Sequence, residues 1–406
     1  MTAESPELSS IRSTDEDKPV DVEATAEIGN VTEKKDPNLV EYDGPDDPGN
    51  PQNFSTVKKV YIAGNLAMLT CMSTFASSVM SPGVSDIAIE FGVSAEVAIL
   101  STALFVLGFA VGPMAFGPAS EVVGRKYPMT VGVFVFAIFA IPVAVAKNAA
   151  TIFVCRFIAG VFGAAPLAIS GGTLADIFDP ISRGIAVAGF ASATFLGPVL
   201  GPIVGGFITM SHLGWRWTQW LTLILALFFL LVYFFTVPET YAPVLLTRRA
   251  KKLRRETGNM ALHSLTSERK IKISDMGRIY VLKPWIMLIQ EPILALITLY
   301  LGFIYGFLYL CFEAFPITFQ EKRGWNKGVG ALPFLAITVG VLVGVALIIF
   351  HTKTRVQRQM NERGAVAPEE RLVPMMLGSF LLPIGMFWFA CAFSSSRSSS
   401  LGLFTD

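Results

Sequence analysis

The chain has 406 residues, of which 52% are hydrophobic and only 16% charged, with a net charge of +1 and a mean hydropathy of +0.56. That is more apolar surface than a soluble core can bury, so composition makes the chain an integral membrane protein. The near-zero charge conceals an acidic start and a basic middle, and neither block suggests nucleic acid.

Residues 1–56 are polar, rich in Asp, Glu, Ser and Pro, and lack apolar periodicity, so they are expected to form a disordered acidic cytosolic tail. Nothing at the start reads as a cleaved signal peptide. Apolar runs long enough to cross a bilayer then recur near 58–80, 95–117, 128–147, 150–174, 185–209, 218–237, 291–315, 328–350 and 372–393. The expected fold is therefore all-α and polytopic. Residues 57–240 read as a six-helix amino half, 241–290 as a basic cytosolic loop, and 291–393 as a partial carboxyl half with three helices. Residues 394–406 form an atypical serine-rich end.

Lysines and arginines concentrate in alternate loops: Lys58 and Lys59, Arg125 and Lys126, Arg183, the stretch 248–283, and Lys353 to Arg371. By the positive-inside rule the amino terminus is cytosolic. Lys322, Arg323 and Lys327 are the exception, lying in a loop that this orientation places outside. The sequons at Asn30 and Asn53 would then face the cytosol and stay unglycosylated. Cys71, Cys155, Cys311 and Cys391 lie in apolar runs and read as free thiols.

Between the second and third runs stands "GPASEVVGRK", from Gly117 to Lys126. Gly124 suits a tight turn, and Glu121 can pair with a basic residue or a helix end. The segment resembles the signature of the major facilitator superfamily at Gly117, Gly124, Arg125 and Lys126, with Glu121 in place of Asp. The resemblance implies two six-helix halves that this hairpin locks on the cytosolic side, here with a complete amino half and an incomplete carboxyl half.

The fourth run carries Arg156 inside an apolar helix, which costs several kcal/mol unless the charge finds a partner or water. Its spacing to Gly160 and Gly163 resembles the family's fourth-span motif, whose arginine is associated with proton coupling. In the fifth run Ala193, Gly197-Pro198, Gly201-Pro202 and Gly205-Gly206 recur at intervals of four. Small residues at that interval allow close helix approach, and prolines bend a helix whose freed carbonyls neighbours can satisfy. This pattern resembles the motif of drug:proton antiporters.

"PDDPGNPQNFSTVKK", "WRWTQW", "VPETYAPVLL" and "YGFLYLCFEAFPITFQEKRGWNKG" are similar to stretches of the fungal drug and polyamine antiporters of the twelve-span branch. Glutamate at position 121 is common in that branch. The resemblance implies proton-coupled export of small cationic or amphipathic molecules by alternating access, in the plasma membrane, with the vacuolar membrane as the other address. The partners are then a small-molecule substrate, protons and the lipid bilayer, with no nucleic acid and no nucleotide.

On the seventh run Tyr305, Tyr309 and Glu313 share one helix face, beside a stripe formed by Gly302 and Gly306. Glu313 could take a proton or an amine, and the tyrosines could receive a cation. Asn65 shares a face with Met68 and Met72 in the first run. Asp176, Asp179 and Arg183 are expected to make salt links, and the basic run from Arg248 to attach to the inner leaflet. No catalytic constellation, metal-ligand spacing, cofactor motif or phosphate loop appears, so no cofactor or metal is expected. Family members continue through three more spans, which makes a truncated, non-transporting membrane protein, inactive or a partner of an intact transporter, the alternative expectation.

Overall fold

A computed structural model of the chain describes residues 36–265, 282–363 and 368–401. The sequon at Asn30, the greater part of the expected tail, residues 266–281 of the central loop and residues 402–406 lie outside them. Among the described residues nine helical stretches are long and apolar enough to cross a membrane, and no strand is present beyond one isolated bridge.

The first span is α1 (Thr56–Ser78), which starts where the Ser55 hydroxyl accepts the Lys58 amide. After α2 (Val84–Phe91), the left-handed Gly92 turns the chain into α3 (Ala95–Val111). The second span continues through a Gly112-Pro113 junction into α4 (Pro113–Val122). Next come α5 (Lys126–Ala144), then α6 (Ala149–Gly163) and α7 (Ala165–Ile177), which together make the fourth span.

The fifth span, α8 (Pro180–Met210), is longer than its apolar run and continues through Pro198 and Pro202. Asp179 caps it, accepting the Ile181 and Ser182 amides, and that work replaces the salt link expected of this residue. Then follow α9 (Trp217–Thr236) and the basic α10 (Ala242–Thr257), ended by left-handed Gly258. Beyond the central loop come α11 (Lys283–Gln290), α12 (Pro292–Phe315), α13 (Phe334–His351), α14 (Gln357–Arg363) and α15 (Val373–Leu401).

The main core joins α1, α3, α5, α7 and α9 through Ile62, Leu66, Phe105, Phe136, Ile169 and Leu230. A second core joins α8 to α12 and α13 through Val199, Leu308, Phe312 and Phe334. Elsewhere α13 and α15 present large apolar side chains outward, including Val343, Phe350, Phe380 and Trp388. In a bilayer such faces meet lipid without cost.

The stretch 36–55, expected to be disordered, is instead held against α10 and the turn after it. Asp43 and Asp47 both pair with Arg249, and the Val40 amide bonds the His263 carbonyl at 2.8 Å. Polar contacts with residues far along the chain, Arg249 being 202 residues from Asp47, supply an order that the absence of apolar periodicity concealed. The Asn53 side-chain nitrogen donates to the Pro45 and Asp47 carbonyls, so the second sequon's amide is engaged in this fold.

Candidate functional site

Arg156 on α6 is 1% exposed. Its Nε donates to the Ser101 carbonyl on α3 at 2.8 Å, its Nη1 to the Ala76 carbonyl on α1 at 2.8 Å, and its Nη2 to the Ser77 carbonyl at 3.3 Å. The guanidinium also lies 4.4 Å from the centre of the Phe105 ring. A buried charge is tolerated when hydrogen bonds replace its water, and here backbone oxygens of two neighbouring helices do so. Reciprocal glycines allow that approach. A Cβ at Gly160 would stand 2.1 Å from the Phe105 carbonyl, and one at Gly108 would stand 2.3 Å from the Phe157 carbonyl.

The Ser77 hydroxyl shares a hydrogen bond of 2.8 Å with the hydroxyl of Tyr309 on α12. Arg156 and Tyr309 are thus joined through one residue. Tyr305, one turn away, stacks on Phe195 of α8 with ring centres 5.1 Å apart. Glu313 continues that face but is exposed, and it makes no hydrogen bond or ion pair among the described residues. Gly302 and Gly306 do not form the expected packing stripe, since a Cβ at either would meet nothing within 4 Å. Asn65 is buried and donates to the Tyr61 carbonyl of its own helix, while Met68 is exposed.

The fifth-span glycines form a close seam with α1. A Cβ at Gly197 would stand 2.0 Å from the Thr74 hydroxyl, one at Gly201 2.0 Å from the Ser78 hydroxyl, and one at Gly205 2.2 Å from the Val79 carbonyl. Proline at 202 has no amide to give the carbonyl four residues back, that of Pro198. The Ser78 hydroxyl donates to that oxygen at 2.8 Å. Gly206 faces elsewhere: its Cβ would stand 2.6 Å from the Lys327 carbonyl in the loop before α13.

At the other end of the bundle Gly124 turns the chain with φ +102°, as a tight turn requires. The Glu239 carboxylate sits against it and accepts the backbone amides of Arg125, Lys126, Thr240 and Tyr241. The Arg125 side chain reaches Asp176 at 3.0 Å and Ser120 at 2.8 Å, and lies 4.6 Å from the centre of the Tyr241 ring. Lys126 lies over Phe234. Glu121 is exposed, and a Cβ at Gly117 would meet nothing within 4 Å. Glu239 lies inside "VPETYAPVLL" but sequence reasoning missed its role, because nothing local links it to a turn 114 residues earlier.

The chain's residues 66–404 match the family model described as Major Facilitator Superfamily. It is 64% identical over 357 residues to the MFS-type transporter traF of Penicillium crustosum, covering 88% of this chain and 72% of that one. It is 49% identical over 361 residues to the citrinin biosynthesis cluster MFS transporter mrr1 of Monascus ruber, with 89% and 72% covered. Against the multidrug transporter FLU1 of Candida albicans the figures are 40% over 355 residues, with 87% and 58% covered. Among solved structures, the proton:xylose symporter XylE bound to 6-bromo-6-deoxy-D-glucose is similar in fold, with a TM-score of 0.52 at 20% identity over 74% of this chain and 70% of that one. The chain therefore belongs to the major facilitator superfamily and is a multi-pass membrane transporter, not an enzyme.

Proposed function

We propose that this transporter exports small amphipathic or cationic organic molecules, of the drug or polyamine kind, in exchange for protons. The observation that carries the reading is the hydrogen-bonded sequence Arg156–Ser77–Tyr309, which ties a buried charge in the first six spans to α12. Protonation and substrate binding act in competition on the face that Tyr305, Tyr309 and Glu313 share, and each biases the relative rocking of 57–240 and 291–393. The fifth-span seam supports antiport by the motif that it matches. Relatives named for a citrinin cluster, an ascochitine cluster and multidrug transport support small organic cargo.

The charge pattern of the loops supports a cytosolic amino terminus, and the branch resemblance supports the plasma membrane as its address. The Arg125–Glu239 network then lies on the cytosolic side. The test is substrate efflux driven by an imposed pH gradient in vesicles holding the full chain. Glu313→Gln should abolish the proton dependence, and unchanged proton-driven export at normal membrane levels removes Glu313 from the mechanism.

A further inference from the structure

Lys327 contradicts the charge pattern of the loops, and the structure gives it a partner. Its ammonium lies 2.7 Å from the Asp86 carboxylate and 3.2 Å from the Ser85 hydroxyl, both on α2. The loop carrying it is held rigidly. Asn326 caps the short turn that follows by accepting the Val329 amide, and Trp325 stacks on Phe319 with ring centres 5.1 Å apart.

The same loop presses on the end of α8. The Gly328 amide points to the Met210 sulfur at 3.1 Å, and a Cβ at Gly328 would stand 2.7 Å from the Phe207 ring. Gly206, the last glycine of the fifth-span repeat, has the Lys327 carbonyl where a side chain would start. Lys327 and Gly328 thus touch two elements of the first six spans, α2 by charge and α8 by backbone packing. The Ser77–Tyr309 bond lies deeper on the same half of the bundle, whereas the Arg125–Glu239 network lies at the opposite end.

We infer that the Asp86–Lys327 ion pair, seated on Gly206, is the latch that closes the outer mouth between the two halves, and that it must open for substrate to leave. The inference rests on the alternating-access reading above. One charge pair suits this work because a partly exposed ion pair contributes little. It holds the closed state without making it permanent. The backbone contact at Gly206 sets where the loop lands, so that the charges meet only when α8 and the loop are in register.

The test reads conformation rather than transport. Cys311 on α12 is buried in the core shared with α8, where separation of the halves at this end would expose it. In the full chain with Cys71, Cys155 and Cys391 changed to Ser, held in lipid nanodiscs, the rate at which a water-soluble maleimide labels Cys311 is measured. Asp86→Asn and Lys327→Gln should each raise that rate about two- to fivefold, the scale of one partly exposed pair. The exchanged pair Asp86→Lys with Lys327→Asp should restore the original rate. Unchanged labelling in both single variants, with helix content and yield preserved, overturns the latch. So does failure of the exchanged pair to restore the rate. Absence of export from the unmodified chain would count against the proposed function and leave this readout intact.

Discussion

Tyr309 on α12 and Ser77 on α1 share a hydrogen bond of 2.8 Å, and the carbonyl of that same serine accepts from Arg156. Tyr309→Phe keeps the ring and removes only the hydroxyl. A neutral hydrogen bond contributes about 1 kcal/mol, which is about fivefold in a rate. Efflux should fall by that order at equal membrane level, and efflux equal to wild type would show that the bond does not couple to transport.

Arg156→Lys preserves the charge but not the planar fork that reaches carbonyls on α1 and α3 together. Each hydrogen bond made by a charged group contributes about 1.5–3 kcal/mol. Both Arg156→Lys and Arg156→Ala should lower the melting temperature of the purified protein in detergent, the alanine variant more. A lysine variant as stable and active as wild type would contradict the need for the fork.

The seam between α1 and α8 predicts a contrast among glycines. Gly201→Val places methyl groups where the Ser78 hydroxyl and the Val79 backbone stand, and overpacking of this kind costs about 1–3 kcal/mol. Gly302→Ala and Gly306→Ala meet nothing and should be neutral or slightly stabilising through helix propensity. Monodisperse yield after solubilisation distinguishes them, and equal behaviour at all three positions would refute the seam.

Glu239→Gln should loosen the Gly124 turn, because the amide keeps one acceptor oxygen and directs N–H hydrogens at backbone N–H groups. A buried donor left without a partner costs about 1–3 kcal/mol. The expected outcome is faster protease cleavage in the 123–126 turn and reduced transport, and unchanged cleavage would show the carboxylate to be dispensable.

The strap on α10 should be acid-sensitive. The Asp43 amide, Arg249 and the Gly49 amide hold the Asp47 carboxyl down to about 2 from its ordinary 3.8. A carboxyl lowered on folding stabilises the strap fully above its ordinary value and loses that contribution as pH falls toward its folded value. The protection of the Val40 and His263 amides, their exchange relative to an unstructured amide at the same pH, should therefore stay high above about pH 4 and fall between about pH 4 and pH 2. Arg249→Ala should lower that protection at every pH, and protection indifferent to both changes would mean that the backbone bonds alone hold the strap.

Features that repeat along the chain were legible in sequence. Apolar runs located the spans, the four-residue interval of Gly197, Gly201 and Gly205 pointed to close helix packing, and Gly124 pointed to a turn. Each is a local pattern with a local physical cause. What stayed hidden were partners brought together by the tertiary fold. Glu239 meets Arg125 across 114 residues, Lys327 meets Asp86 across 241, and Arg156 is held by carbonyls, which every residue has. The strap stayed hidden for the same reason, because Asp47 meets Arg249 across 202 residues, and by itself a polar stretch resembles one that is held by nothing.

Ser78 holds the oxygen that Pro202 leaves unbonded, and the three atoms nearest a Cβ at Gly197 or at Gly201 all come from α1 or from Val79, which ends it. None of that seam is built by α12, where Tyr305, Tyr309 and Glu313 stand. The two are therefore separable in protein engineering at Glu313, but not at Tyr309, which bonds Ser77 of α1, or at Tyr305, which stacks on Phe195 of α8. On the proposed function, a library that randomises position 313 can search for new cargo while the α1–α8 pair keeps its geometry, whereas a library that includes Gly197 or Gly201 loses members to overpacking of the seam.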